Sequence, residues 1–555
     1  MSEFNPVIIE LLNRRGISGE DEIAEFLSEQ PQKTYDPFLL LNMEAGVDLI
    51  LSAIRQNSKI CIYGDYDADG ITSICLLIQI LSHLTKNISY YVPSRFEEGY
   101  GLNKTAIESI HKNGADMIIT VDCGSVSYDE VEYAKSLGLK MVITDHHSIT
   151  DVISEGIVIN PKQPGCGYPF KQLAGVGVSF KLAQAIQKKA GLPRSVLPEV
   201  LDLVAVGTIG DIVPLLDENR TLVKYGLKEL NRLKRKGMAS LAEAVSLKTG
   251  AINSENVAFI IVPHINAVGR MIHAEIAVEL MISEDDDVIK KNTGVLVECN
   301  TERKRIQEET YRRCVDIVEE RLSRKKFLLI CAPDSHEGIS GIVAGKIKDK
   351  YNKPVIIVTQ SGDICKGTGR SIEKINLYEL LNNFADMFVK FGGHEAACGF
   401  LIQSSELCDL KRSLEDKMNE IFESDPHIFD EDSDYDMELS VKDVTVRFGE
   451  MLECLAPFGR RNKKPIFRID GMSLSETVFM GEDGKHVRFT GRCANGGPPV
   501  QCVLFNKAEE YSDIVNSGNR VDVLGTVEAQ MWNGEKRVQL HVENIIKGEN
   551  AHDID

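Results

Sequence analysis

Four short motifs carry the residues with the clearest chemistry. Gly64-Asp65-Tyr66-Asp67-Ala68-Asp69-Gly70 puts three carboxylates at alternate positions directly after the apolar run 59–63. Asp122-Cys123-Gly124 closes the run 117–121, Asp145-His146-His147 closes 140–144, and Gly207-Thr-Ile-Gly-Asp211-Ile-Val-Pro214 is the fourth. A lone D-x-D is most often a surface turn, and a His-His pair is often structural. Four such motifs closing apolar runs are a different matter, because acids and imidazoles gathered without basic neighbours repel one another unless they hold metal ions. Hard oxygen ligands suit Mg2+ or Mn2+, and an imidazole in the same set, here His146, shifts the preference toward Mn2+. The expected ligands are Asp65, Asp67, Asp69, Asp122, His146 and Asp211. Two ions about 3.5–4 Å apart can activate a water and stabilise the leaving oxygen of a phosphoryl ester.

Such residues need a scaffold that brings them to one edge. Short buried strands in a parallel sheet put their carboxyl ends on one side, where ligands bind, and all four motifs are expected at strand ends. From 58 to about 160, apolar runs alternate with helical stretches at 71–86, 103–113 and 127–138, the βαβ pattern of a doubly wound sheet. Residues 1–57 read as a helical lead-in, 58–284 as the domain carrying the acids, and 285–325 as a long connecting helix without Pro. A second, smaller α/β domain is expected over 326–423, with strands near 326–332, 354–359 and 397–403 and a helix at 340–351. An acidic linker (424–436) follows, then a β-barrel domain over 437–548 whose short strands are punctuated by Gly-rich turns, and a tail at 549–555.

Composition narrows the class. The 555 residues are 43 % apolar and 26 % charged, as in ordinary globular protein. No apolar run approaches the roughly 20 residues of a membrane span, and the N-terminus lacks a basic-then-apolar leader, so a cytoplasmic location without membrane attachment is expected. The 13 cysteines include no C-x-x-C pair. Several lie in apolar runs (Cys61, Cys75, Cys331, Cys502), which points to buried thiols rather than a zinc site. A net charge of −20 argues at first against a nucleic-acid partner. Acidic linkers and ion-binding acids account for part of it, while basic clusters stand at 303–305, 312–313, 321–326 and 460–464.

The four ordered motifs resemble those of the DHH phosphoesterase superfamily and, more narrowly, its RecJ branch. Pro93-Ser-Arg-Phe-Glu-Glu-Gly-Tyr-Gly101, Asn266-Ala-Val-Gly-Arg270 and His336-Glu-Gly-Ile-Ser-Gly-Ile-Val-Ala344 are similar to RecJ segments. So are Gly367-Thr-Gly-Arg-Ser371, Gly392-Gly-His-Glu-Ala-Ala-Cys-Gly-Phe400 and Pro457-Phe-Gly459. The resemblance covers most of residues 40–548. It implies a metal-dependent exonuclease that hydrolyses single-stranded DNA from 5′ to 3′, releasing mononucleotides, in DNA repair and recombination. It further implies two divalent ions (Mn2+ or Mg2+), a DHH-associated second domain (DHHA1) and an oligonucleotide-binding (OB) barrel. The catalytic set would be Asp67, Asp69, Asp122, His146, His147 and Asp211, with His147 holding a non-bridging phosphate oxygen. Arg95, Arg270, Arg370, Ser371 and His394 would bind substrate by capping its 5′ phosphate. The implied partners are single-stranded DNA, a single-strand-binding protein and a helicase, with the chain itself a monomer.

Departures exist as well. Other DHH branches place a His where Tyr63 stands, and in the RecJ pattern Asp65 takes over that ligand role. His264, Ser335 and Cys398 replace the usual Arg, Trp and Ala. In the barrel, Arg460, Arg461, Lys463 and Lys464 would follow the backbone, with Phe458, Phe467 and Trp532 as candidate stacking residues.

Two other readings stand beside this one. A DHH phosphodiesterase for short oligonucleotides or cyclic dinucleotides needs neither the long helix nor the barrel. A non-catalytic DNA-binding scaffold has no use for the intact ligand set.

Overall fold

Residues 5–99, 101–149, 152–430, 434–481, 484–493, 496–532 and 534–547 are described in the computed structural model. The tail 549–555, positions 431–433 of the acidic stretch and the Trp532 side chain lie outside the described residues.

The first sheet comprises β1 (Ile60–Gly64), β2 (Ile88–Tyr91), β3 (Met117–Val121), β4 (Lys140–Thr144) and β5 (Ile157–Ile159). All pairs are parallel and the order is β2-β1-β3-β4-β5. The strands β1 and β3 are buried along their whole length, as continuous apolar runs covered by helices on both faces must be. Gly64 pairs with Val121, and Val121 with Thr144, so these three strands end level. Asp65, Asp122 and Asp145 therefore leave the sheet along one edge. The first two flank the point between β1 and β3 where the strand order reverses, the place such sheets bind ligands.

The fourth motif departs from expectation. Asp211 follows the buried helix Leu201–Gly210, not a strand. A continuous apolar run does not distinguish a buried strand from a buried helix, and this run is apolar on all sides because the helix is enclosed on all sides.

The second sheet contains β6 (Leu328–Cys331), β7 (Val355–Ser361), β8 (Ile364–Arg370), β9 (Phe388–His394) and β10 (Ala397–Gln403), in the order β6-β7-β8-β10-β9. Only β6 and β7 are parallel. The strands β8 and β9 were not expected, since both are rich in glycine and lysine. Gly367 explains one of them: a Cβ there would stand 2.2 Å from the Phe400 ring, so the glycine seats that ring against the sheet. Cys331 ends β6 exposed, whereas Cys61, Cys75 and Cys502 are buried.

The C-terminal domain is a closed barrel. It is built from β11 (Met437–Glu438), β12 (Phe467–Met480), β13 (His486–Cys493), β14 (Val500–Leu504), β15 (Arg520–Trp532) and β16 (Glu535–Lys547), with β12 also paired to β15. The pairs β14–β16 and β11–β12 are parallel, two departures from a purely antiparallel arrangement.

The helix Asp286–Ile317, about 48 Å long at 1.5 Å per residue, ties the first two domains together. Ile289 and Leu296 join the core of the first domain, while Cys314, followed by Val318 and Leu322 of the π-turn beyond it, packs under the second sheet. The lead-in divides in a comparable way. Met43–Arg55 belongs to the first core, but Pro6–Arg14 and Glu20–Leu27 pack on the barrel. We therefore expect Leu11→Ala, which empties a fully buried position in the barrel core, to destabilise the protein by about 2–5 kcal/mol. Thermal melting together with limited proteolysis of the barrel would measure it, and an unchanged barrel would show that the helix is not part of that core.

Candidate active site

Each acid is held by a local device. Asp67 is the N-cap of helix Ala68–Leu81, its Oδ1 accepting from the amides of Asp69 (2.9 Å) and Gly70 (3.1 Å). Gly70 is required there, because a Cβ would lie 2.3 Å from the Asp65 carbonyl oxygen. Asp69 points the other way and accepts from the amides of Gly175 and Val176, both at 2.7 Å, at the start of helix Gly175–Ala190. Two helix N-termini thus face the acids, the orientation that favours negative charge. Asp122 has φ 61°, a left-handed conformation that turns the chain straight off β3. Ile212, just after Asp211, has φ 55°, a strained value for a β-branched residue.

These devices bring all six expected ligands together. His146 Nε2 lies 3.1 Å from Asp122 Oδ1, 3.5 Å from Asp211 Oδ2 and 3.9 Å from Asp69 Oδ2. Ligand atoms of three overlapping sets come within 4.8 Å of one another: Asp65, Asp67 and Asp122; Asp69, His146 and Asp211; Asp122, His146 and His147. Asp65 Oδ1, Asp122 Oδ1, Asp211 Oδ2 and His146 Nε2 are buried without a hydrogen-bond partner. Buried polar atoms are normally paired, so four orphans gathered in one place fit a site built for cations.

The electrostatics agree. Burial, with Asp67 next, pushes Asp65 up to about 8 and Asp211 up to about 7. Asp69 and Asp122 are raised well above the carboxylate range, again by burial first and neighbouring acids second. Burial and the adjacent His147 press His146 down to about 3, so it is a neutral imidazole with a lone pair to offer. His147 is the opposite case. Burial works against its charge, but Asp145, 2.8 Å from Nδ1, holds it up to about 9. Asp145 is in turn fixed by the amides of Ser125, His146 and His147. Its role as the brace of His147 was not read from the sequence, although it sits in the same motif.

The expected substrate residues converge from two domains. The Arg95 guanidinium lies 4.5 Å from the centroid of the Tyr66 ring, between Asp65 and Asp67 in sequence. Arg270 is half-buried, its Nη1 donating to the Gly338 carbonyl (2.8 Å) of the second domain. Burial first, then Arg95 and Arg303, push Arg270 down to about 10, with Arg370 adding to the repulsion and Asp67 opposing it. Ala397 pairs with both Arg370 and His394, so those two share a row and a face of the second sheet, roughly 10 Å apart. Among the described residues, Arg95, Arg270 and Arg370 form no ion pair. Ser371 is different: its hydroxyl is buried and donates to the Ile375 carbonyl at 2.7 Å.

A groove of about 1020 Å3 runs from this place between the first domain, the long helix and the barrel. Its walls include Ile212, Arg270, Arg303, Phe458, Arg460 and Lys463. Phe467 is fully buried in the barrel core and cannot stack on a ligand. Lys464 is held by Glu255 and Glu528. Of the candidates from the sequence, Phe458 does line the groove; Phe259 (76 % exposed) and Phe505 (49 % exposed) line it too and were missed because an isolated Phe carries no sequence signal of exposure.

Comparison with known proteins adds three findings. Residues 59–208 match the DHH family N-terminal domain, 324–420 the DHHA1 domain and 435–544 the RecJ OB domain. The chain is 37 % identical over 556 residues to the single-stranded-DNA-specific exonuclease RecJ of Bacillus subtilis, covering 98 % of this chain and 68 % of that protein. Against the Escherichia coli enzyme of that name it is 30 % identical over 570 residues, covering 98 % and 96 %. The fold is similar to that of RecJ in complex with Mn2+ from Thermus thermophilus, with a TM-score of 0.81 and 27 % identity over 98 % of this chain and 79 % of that one.

The titrations have a consequence for stability. Asp65 and Asp211 hold protons in the fold at pH values where the unfolded chain has released them, and His147 does the same between its ordinary 6.5 and about 9. The folded state then binds more protons than the unfolded one, so these groups lower stability as pH rises through 6.5–9; His146, shifted down, acts only below that window. In chelator, melting temperature is expected to fall more steeply across that window in the wild type than in Asp65→Asn. Added Mn2+ or Mg2+ should raise it, most at high pH. Identical slopes for the two proteins and no response to either ion would contradict the assignment.

Proposed function

The chain belongs to the RecJ family of DHH proteins, and from that premise we propose that it is a divalent-metal-dependent exonuclease degrading single-stranded DNA from the 5′ end to mononucleotides, in repair and recombination. The observation that carries this reading is an acidic cluster on one domain faced by arginines without ion pairs, at the head of a groove one strand can follow. A dinucleotide phosphodiesterase would have no use for a groove that extends to the connecting helix and the barrel.

Asp65, Asp67, Asp69, Asp122, His146 and Asp211 would hold two ions, Mn2+ as in the Thermus relative or Mg2+ by the same oxygen-ligand chemistry. Bound there, such ions neutralise the acids and supply Lewis-acid activation of the attacking water and the leaving oxygen. His147, kept protonated by Asp145, donates to a non-bridging phosphate oxygen. Asp67 and Asp69 are kept in place by the helix amides they cap. Polarity comes from the far wall: a terminal 5′ monophosphate carries about one more negative charge than an internal linkage. Arg95, Arg270, Arg370 and His394 are placed to sense that charge, while Ser371 shapes the turn beside Arg370.

The working domain limits are 58–284, 326–423 and 437–548, with 285–325 as connector. No helix among the described residues is long and apolar enough to cross a membrane. We assign the enzyme to the cytoplasm as a monomer, with a helicase and a single-strand-binding protein as the partners that would present its substrate.

The test is degradation of 5′- and 3′-labelled single strands and a matched duplex under Mn2+ and Mg2+. Immediate release of the 5′ label as mononucleotide, with the duplex spared, is expected; release from the 3′ end would overturn the polarity. Arg370→Ala should raise KM for 5′-phosphorylated strands about ten- to a hundredfold, the loss of one charge-assisted contact. Gly175→Ala, whose Cβ would come 2.5 Å from Asp122 Oδ1, should slow turnover about a hundredfold with the fold retained, because it shifts a ligand. Circular dichroism with single-turnover rates would check it.

A further inference from the structure

Arg303 sits midway along the connecting helix, 9 % exposed, on the groove wall. Its hydrogen bonds go only to neutral acceptors: Nε to Asn300 Oδ1 (3.0 Å) and Nη1 to Gln307 Oε1 (2.8 Å). Among the described residues it has no ion pair. A guanidinium removed from water without a counter-ion is costly, and neutral amides do not offset the charge.

Its orientation is fixed by a directional relay. His264 Nδ1 lies 2.6 Å from the Ile260 carbonyl oxygen, which can only accept, so Nδ1 carries the proton. His264 Nε2 must then accept from Asn300 Nδ2 at 3.0 Å, which turns Asn300 Oδ1 toward Arg303. Ile260 belongs to the π-turn Val257–Ile261, the same turn that exposes Phe259 in the groove. Burial, with Lys304 and Arg303, lowers the His264 pKa, so the ring is neutral as the relay requires. Glu298 and Glu302 share the helix but enter none of these bonds. The groove leads past this guanidinium, which, like Arg270 on the same wall, has no ion pair among the described residues.

We infer that Arg303 binds a phosphate of the strand beyond the scissile linkage, with Asn300 and His264 as the residues that position it. This rests on the single-strand substrate proposed above. A packing role alone would be served by an uncharged side chain of the same length, and that difference can be measured.

The experiment titrates a long phosphorothioate-linked single strand by fluorescence anisotropy against the full chain, at fixed Mg2+ and several KCl concentrations. Arg303→Met should weaken binding roughly tenfold and flatten the slope of log affinity against log salt by about 0.7, one phosphate contact on a single strand. Arg303→Lys should keep the slope. Gln307→Glu keeps the shape and the contact to Arg303 while supplying an internal counter-ion, so it should flatten the slope as Arg303→Met does, and it guards against a failure of Arg303→Met to fold. Wild-type slopes in both Arg303→Met and Gln307→Glu would overturn the inference while leaving the substrate reading intact. A wild type that binds no single strand would overturn both.

Discussion

Asp65, Asp69, Asp122 and Asp211 repel one another across a space from which water is largely excluded. No lysine or arginine forms an ion pair with them among the described residues, so they are stabilised by amides, helix ends, the charge of His147, more distant basic groups and any cations that enter. That repulsion constrains the architecture around it. The acids must be held by rigid elements, since a loop would relax and let them part. The level ends of β1, β3 and β4, the two helix N-termini facing Asp67 and Asp69, and the enclosed helix leading to Asp211 meet that demand. The strained backbone at Asp122 and Ile212 is a local cost of aiming side chains inward.

Positive charge is kept apart from this cluster and arranged around it. Arg95 and Arg270 come from the first domain, Arg303 from the connecting helix, Arg370 from the second domain and Arg460 from the barrel. None of them neutralises the acids by direct contact. An anion between the two groups can therefore meet both, which a set of internal salt bridges would prevent. The net charge of −20 conceals this, because it averages over surfaces that never face the groove.

The long helix makes the separation durable. Its first half belongs to one core and its second half to another, so the arginines of the second domain hold their distance from the acids of the first. The barrel is fixed by other means: Arg220 donates to the Phe26 and Ala456 carbonyls, and Leu215 donates to the Arg460 carbonyl. The groove is thus a product of contacts between domains and of no single domain.

The sequence by itself determined the six acids and imidazoles of the cluster, the parallel sheet and the connecting helix. Each of those is written in a local pattern: an apolar run, its period, and the residue that ends it. It did not separate the helix before Asp211 from a strand, since enclosure on all sides erases periodicity. Nor did it find β8 and β9, where Gly367 makes sense only beneath the Phe400 ring and Gly393 only against the Ala397 carbonyl. What the tertiary structure alone decided was pairing across distance. Phe467 went to the core and Phe259 to the groove, and Arg303 to a relay that begins at Ile260. Those fates depend on which other elements pack against a residue, and residues tens or hundreds of positions away leave no mark on the local pattern.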